Sequence, residues 1–259
     1  MTFIPRFIEK TGIVDTPLDF VWDGPLHHIG PTETVNKMFN LIASKTTCGM
    51  LTQAAGIISW GALRLQGHTK VDVLLQMIES TFAFQVHPNY VNPDAIPTQK
   101  PREQPPARSA ADMFQRLLWR GLDPDKYWRS YYQPIDSAFH SAYLVRHILP
   151  KPKKKVFSKW LEEMLARIKE IAPKPDEPPL GVEDKESLSP KELEAYYARH
   201  WGEALPPEVL DLEYDYQPSK REELIDRYLR ELDWKGNPFL RSPDAMKKLG
   251  FEGTPYKLG

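Results

Sequence analysis

Proline is the feature of this sequence that most restricts its fold, because 25 of the 259 residues are proline. That share is roughly twice the ordinary usage. A proline ring fixes φ and removes a backbone N–H, so it disfavours helix interiors and central strands. The sequence therefore predicts short amphipathic helices joined by extended segments. Since no strand run, hairpin signal or internal repeat stands out, the predicted fold class is all-α, with extended N- and C-terminal arms.

The prolines and the charge pattern divide the chain into seven segments. Residues 1–31 are predicted to form an extended N-terminal arm, 32–87 a helical pair, 88–107 a Pro-rich strap, 108–172 a helical region, 173–188 an acidic Pro-rich linker, 189–234 a second helical pair and 235–259 an extended tail. The clearest helix is 155–172, in which apolar residues recur every three or four positions. Ser189 and Ser219 are each followed three residues later by Glu, and this spacing predicts a capping box at the start of both helices of the second pair.

The composition excludes several classes of function. With 34 Lys+Arg and 35 Asp+Glu the net charge is −1, which argues against a general nucleic-acid-binding surface. The single cysteine excludes a disulfide framework and a cysteine-rich metal site. An aromatic cluster could stack on nucleic-acid bases; it consists of Tyr127, Trp128, Tyr131 and Tyr132. The neighbouring aspartates weaken the positive field that such binding needs, so we favour packing in the core or at an interface.

No residue group has the pattern of a catalytic or metal site. The usual phosphate-binding and hydrolase motifs are missing from the sequence. Asp136 and His140 share a helix face with His147 two turns on, a pattern that zinc sites use. No second helix supplies a matching histidine, so we favour a surface hydrogen bond and predict no metal and no cofactor. Cys48 lacks a neighbouring base and is interpreted as a buried residue. We therefore expect a protein that is not an enzyme.

A small-residue stretch carries the strongest structural signal. Eighteen uncharged residues separate Lys45 from Arg64, which is the threshold length for a membrane helix, and they continue a helix that opens near Thr32. Small side chains let two helix backbones approach closely, and the predicted helix-packing interface consists of Gly49, Thr52, Gly56 and Ser59. Two interpretations stay open: a buried helix of a helical domain, and a membrane helix over 46–63.

A lysine cluster is the second signal. Lys151, Lys153, Lys154 and Lys155 lie at the start of the 155–172 helix, where they face the positive end of the helix dipole and weaken it. This placement predicts contact with an outside anionic surface, which could be lipid headgroups, an acidic protein or RNA phosphate. A solvated basic linker is the alternative.

The overall organisation resembles supernumerary subunits of mitochondrial respiratory-chain complexes. The residues that carry this resemblance are the 46–63 stretch, the turn at 68–70, the strap at 88–106 and the tail after Trp234. Section 32–70 is similar to the first span of the translocase-like accessory subunit of complex I. The resemblance implies a non-catalytic structural subunit of the mitochondrial inner membrane, whose partners are other protein subunits and lipid headgroups, and not nucleic acid. The alternative is a soluble, cytoplasmic helical interaction protein of the bacterial immunity or adaptor type.

Overall fold

The computed structural model describes residues 6–14, 16–22, 24–30, 36–95, 105–122, 132–177 and 187–259. The fold is all-α, as predicted, with a two-stranded antiparallel sheet near the C-terminus. The helices are α1 (Arg6–Glu9), α2 (Lys37–Ala43), α3 (Thr47–Leu65), α4 (Asp72–Val86), α5 (Pro106–Gly121), α6 (Tyr132–Ile148), α7 (Lys151–Ile171), α8 (Pro190–Trp201), α9 (Arg221–Glu231) and α10 (Pro243–Lys248), and the strands are β1 (Phe251–Glu252) and β2 (Lys257–Leu258). Short 3₁₀ turns cover Leu26–His28, Pro88–Tyr90, Pro93–Ala95, Pro207–Leu210 and Pro218–Lys220.

Helix α3 is the centre of the molecule. Every residue from Thr47 to Leu65 is buried, and α4, α5, α6 and α7 all pack against it. A helix that is apolar or small on all sides is expected to be enclosed, because none of its faces needs water. Among the helices that the structure describes, none is both long and apolar enough to cross a membrane.

The single helix expected from Thr32 through the small-residue stretch is two helices instead. Between α2 and α3 the chain is extended, and it bonds to the segment after α7: Thr46 N donates to Ala172 O at 3.0 Å, and Lys174 N donates to Ser44 O at 3.1 Å. The Thr46 side chain then caps α3 by accepting a hydrogen bond from Gly49 N at 3.3 Å. These tertiary bonds replace the helical ones that 44–46 would have made.

The two predicted capping boxes have different outcomes. The Ser189 box is confirmed, because Ser189 accepts from Glu192 N and the Glu192 carboxylate accepts from Ser189 N at 2.9 Å. The Ser219 box is wrong. Ser219 lies inside the Pro218–Lys220 turn, and α9 begins after it without a side-chain cap. Because Pro218 starts this turn, Ser219 is already inside it and does not stand at the N-cap position of α9.

The tail 235–259 was expected to be extended but folds against the rest of the chain. It contains α10, β1 and β2, and it forms an antiparallel bridge between Leu240 and Val91. Asn92 N donates to Phe239 O at 2.9 Å, and Arg241 N donates to Tyr90 O at 2.8 Å. A second hydrophobic cluster results, which includes Tyr90, Trp234, Leu240, Met246 and Phe251. Single apolar anchors at irregular spacing bury this segment, so a search for helical periodicity misses it.

The N-terminal segment and the start of the strap also pack on the chain itself. Ile8, Ile13 and Trp22 are buried, as are Tyr90 and Val91. The remainder of the strap at 96–104, the aromatic cluster side chains at 127–132 and the linker at 178–186 lie outside the described residues.

Candidate functional site

The two glycines of the predicted helix-packing interface contact other parts of the same chain. A Cβ atom on Gly49 would lie 3.2 Å from Cγ2 of Ile168 and 3.3 Å from Cβ of Ala172. On Gly56 it would lie 2.6 Å from Cδ2 of Leu210 and 3.3 Å from Cη2 of Trp160. The close approach predicted at these glycines is therefore made with α7 and with the turn at Pro207–Leu210.

The other two residues of that interface have different neighbours. Thr52 Oγ1 donates to Oε1 of Gln85 on α4 at 3.2 Å, and Ser59 Oγ donates to Ala55 O of its own helix at 2.8 Å. The four residues thus do not form one continuous contact surface. Gly61, which does not belong to the predicted interface, has the tightest surroundings of the three α3 glycines, because a Cβ there would overlap the ring of Phe114 on α5. The signal available was another glycine within the same stretch.

Three of the four predicted lysines form a surface that we call the basic face. It consists of Lys151, Lys154 and Lys155 at the start of α7, together with Arg146 near the end of α6. The three lysines are spaced as neighbours on one helix face. Lys151, Lys155 and Arg146 are exposed and Lys154 is half-buried. None of the four makes an ion pair or a side-chain hydrogen bond with the described part of the chain, and α7 has no side-chain cap at Pro150.

Lys153, the fourth predicted lysine, turns in another direction. Its Nζ donates to Thr11 O at 2.5 Å, so it ties the N-terminal segment to the first turn of α7. Its charge still adds to the positive potential of the basic face, but its ammonium group is held by the chain.

Arg64 fixes the same region from inside. This arginine is completely buried. Its Nε donates to Ile148 O at 3.2 Å, and its two terminal nitrogens donate to Ile13 O at 3.1 Å, Thr16 O at 2.5 Å and Pro17 O at 2.6 Å. Burial lowers the pKa of the Arg64 guanidinium below its ordinary value. One guanidinium therefore joins the end of α6 to the N-terminal segment, and the basic face stands on rigid elements.

A loop that contacts the end of α6 carries an exposed valine. Nε2 of His147, four residues before Lys151, is 2.8 Å from Val21 O, and the ring of Phe20 meets the His147 ring edge-on at 5.9 Å. The base of the loop is thus fixed, while the Val21 side chain is 87% exposed. The exposed valine is therefore tied to His147, the residue that follows Arg146 of the basic face.

Of the groups that were considered for catalysis or metal binding, Cys48 is buried, while Asp136, His140 and His147 are half-buried. Cys48 is buried as predicted, and burial raises the pKa of its thiol. Burial also lowers the pKa of His140, although the charge of Asp136 opposes this shift. Within the described ranges, no three His, Cys, Asp or Glu side chains are grouped so that they could hold a metal ion.

A cleft of about 180 Å³ lies between the ends of α3, α7, α8 and α9. Its walls are mainly apolar, with Ala172, Leu205 and Tyr216 among them, and Arg221 at its edge is ion-paired with Glu203.

No protein-family model, curated protein or solved structure matches the chain.

Proposed function

We propose that this protein is a non-catalytic accessory component of a larger assembly and that it docks on an anionic partner through the basic face. The observation that carries the proposal is the placement of Lys151, Lys154 and Lys155 at an uncapped helix N-terminus, where the first turn holds no acidic residue and none of the three forms an ion pair with the described part of the chain. Each cation in such a position costs about 0.3–1 kcal/mol at low salt. Anionic groups of a partner would remove that cost.

The support beneath the basic face favours the same function. Arg64 and Lys153 hold the N-terminal segment against the α6–α7 junction through backbone carbonyls. A surface that is already ordered loses little conformational freedom when it binds. The structure thus presents these charges in an arrangement that needs no refolding.

Other polar side chains, the half-buried Arg167 and the buried Asn237 and Gln85, also hold proline-rich segments in place. Arg167 donates to Asp211 O at 2.8 Å and to Tyr214 O at 2.6 Å. Asn237 donates to Gln76 O at 2.9 Å, and Oε1 of Gln85 accepts from Leu205 N at 3.0 Å. Buried polar groups that bond to irregular backbone stabilise one arrangement of it. Their use here supports a structural role.

The enclosure of α3 bears on the setting. Of the two settings expected from the sequence, an inner-membrane respiratory assembly and an adaptor-type interaction protein, the second is favoured because α4–α7 of the same chain surround α3. Alkaline carbonate treatment of the source cells' membranes distinguishes the two settings. The adaptor setting predicts release of the protein, and retention in the membrane pellet would support the respiratory subunit.

Charge reversal tests the docking proposal. Replacing Lys151, Lys154 and Lys155 by Glu should shift the protein in a native extract from a large assembly to the elution volume of the monomer. The matched control is the reversal of Lys235, Lys247 and Lys248, three exposed lysines of the C-terminal segment, which should elute with the wild type. Identical elution of all three proteins at low salt would contradict the proposal.

A further inference from the structure

We infer that the anionic partner is a lipid bilayer, and that the basic face and Val21 together form a peripheral membrane-docking surface. This inference rests on the proposed function and names the partner of the same site. It follows from the kind of cations, the position of the exposed valine and the distribution of charge over the molecule.

The cations suit a fluid layer of headgroups. Three of the four are lysines, whose ammonium groups are point charges on flexible stems rather than planar forks matched to one fixed anion. Lys151 and Lys155 are exposed and unpaired within the described chain, so both can follow headgroups that move. Each lysine near an anionic leaflet raises the partition constant by roughly fivefold. Three lysines together therefore account for about a hundredfold.

Val21 supplies the apolar part of the surface. Single exposed apolar residues are common on proteins and carry no meaning alone. Val21, however, is 87% exposed on a loop whose neighbours are fixed: Phe20 lies on His147, and Trp22 is buried with its Nε1 donating to Pro25 O at 3.4 Å. Val156, next to Lys155, is 43% exposed. Apolar side chains that protrude beside cations are typical of surfaces that lie in the membrane interface.

The distribution of charge limits which part of the molecule an anionic bilayer attracts. The chain has a net charge of −1, so the molecule as a whole has no positive charge that would hold it on anionic lipid. Docking therefore depends on the local cations Lys151, Lys154 and Lys155, which form no ion pair with the described part of the chain. An acidic protein partner would instead be expected to meet a broader apolar and aromatic patch.

Vesicle co-sedimentation tests this inference at low salt. The probes are vesicles of phosphatidylcholine with about a third phosphatidylserine and vesicles of phosphatidylcholine alone. The wild type should bind the first and not the second, and high salt should release it. Replacing Lys151, Lys154 and Lys155 by Gln should weaken binding by about a hundredfold. The matched Gln variant of Lys235, Lys247 and Lys248 should bind like the wild type.

A second pair of variants tests the apolar contact. Val21→Ser should weaken binding to the phosphatidylserine vesicles by roughly three- to tenfold, because the valine leaves water on docking. The salt dependence should stay unchanged, since no charge is lost. Val73→Ser, which alters another exposed valine (40%), should have no effect. Circular dichroism of each variant confirms that it is folded.

The outcomes distinguish this inference from the proposed function. Absence of binding to phosphatidylserine vesicles, or equal binding by the basic-face variant, would overturn the bilayer as partner. If the native assembly still depended on the three lysines in that case, the proposed function would stand with another anionic partner, and nuclease treatment would separate RNA from protein. If the lysine variants kept both vesicle binding and assembly, the inference and the proposed function would both be overturned.

Discussion

Gly61 and Gly56 differ in what stands opposite them, although both lie in the middle of α3. Opposite Gly61 is the ring of Phe114, which is rigid and fully buried. Opposite Gly56 is the end of the Leu210 side chain, which can rotate. The same added methyl group therefore meets a fixed obstacle at one site and a movable one at the other.

Gly61→Ala should lower the free energy of unfolding by about 2–3 kcal/mol through overpacking. At Gly56 the change to Ala should be nearly neutral, because the helix propensity gained, about 1 kcal/mol, offsets the displacement of Leu210. Gly56→Leu adds more atoms and should cost about 1–3 kcal/mol. Urea unfolding of the three variants measures these differences. A Gly61→Ala protein as stable as the wild type would show that Phe114 can move.

Lys45 makes the stability depend on pH in the alkaline range. It is completely buried, with its Nζ donating to Leu41 O and to Ser44 Oγ. Burial, and secondarily the charge of Lys169, lowers the pKa of Lys45 from 10.5 to about 8. The unfolded chain therefore holds a proton that the folded protein loses between about pH 8 and 10.5. Stability should rise with pH across that window.

Lys45→Met should remove this rise. At pH 7 the shift corresponds to a cost of about 3 kcal/mol for the folded wild type, and the lost hydrogen bonds return about 1–2 kcal/mol of it. The variant should thus be more stable by about 1–2 kcal/mol at pH 7 and should lose this advantage by pH 10. Urea unfolding at both pH values provides the measurement, and parallel pH curves would refute the assignment.

The sequence predicted the burial of Cys48 but not that of Lys45. Cys48 lies inside an uncharged stretch, and its burial follows from its neighbours along the chain. Lys45 looked like the charged end of that stretch. Its burial depends on Ala172 and Pro173, which the bridge after α7 brings beside it, and such distant contacts leave no local pattern.

At the scale of elements, two identical sequence patterns provide a controlled comparison. Ser189 and Ser219 both precede Glu by three residues, but only Ser189 caps a helix. Ser189→Ala should destabilise α8 by about 1 kcal/mol, whereas Ser219→Ala should change stability by less than about 0.5 kcal/mol. Hydrogen exchange over 190–201 and 221–231 reads out each helix separately. Equal effects in both helices would mean that the caps do not differ in solution.

Helix existence was predictable wherever apolar residues recur every three or four positions, as in α7. Helix ends were less predictable. Helix α7 begins at Lys151 rather than 155 because Pro152 fits the first turn of a helix. The break between α2 and α3 depends on bonds to 172–174, which lie far away in sequence.

Over the whole molecule, the tail and the start of the strap at 88–95 should be ordered without any partner. The amides of Asn92 and Arg241 bond across to Phe239 and Tyr90, so both should be protected from hydrogen exchange in the isolated protein. Leu240→Ala removes a buried anchor and should cost about 2–4 kcal/mol, while Leu258→Ala, at a residue 61% exposed, should cost less than about 0.5 kcal/mol. Free hydrogen exchange at the amides of Asn92 and Arg241 would contradict this prediction and would support the extended tail expected from the sequence.

The all-α class followed from the sequence, but the arrangement of the arms did not. Proline spacing shows where helices stop and not where the chain goes next. Of the candidate site, the lysine cluster was predicted as a group. Its separation into a basic face and the internally held Lys153 depends on Thr11, and the neighbouring Val21 loop depends on His147.

The enclosure of α3 has a consequence for the synthesis of the protein. The ribosome delivers this apolar helix early, but Trp160 and Leu210, which cover Gly56, follow about 100 and 150 residues later. At ~5–20 residues per second the helix waits roughly 5–30 s for its cover. During that interval the nascent chain carries an uncovered apolar helix, which is the kind of segment that holding chaperones recognise. Ribosome-bound chains stalled before residue 160 should therefore recruit such chaperones, and chains released after residue 210 should no longer do so.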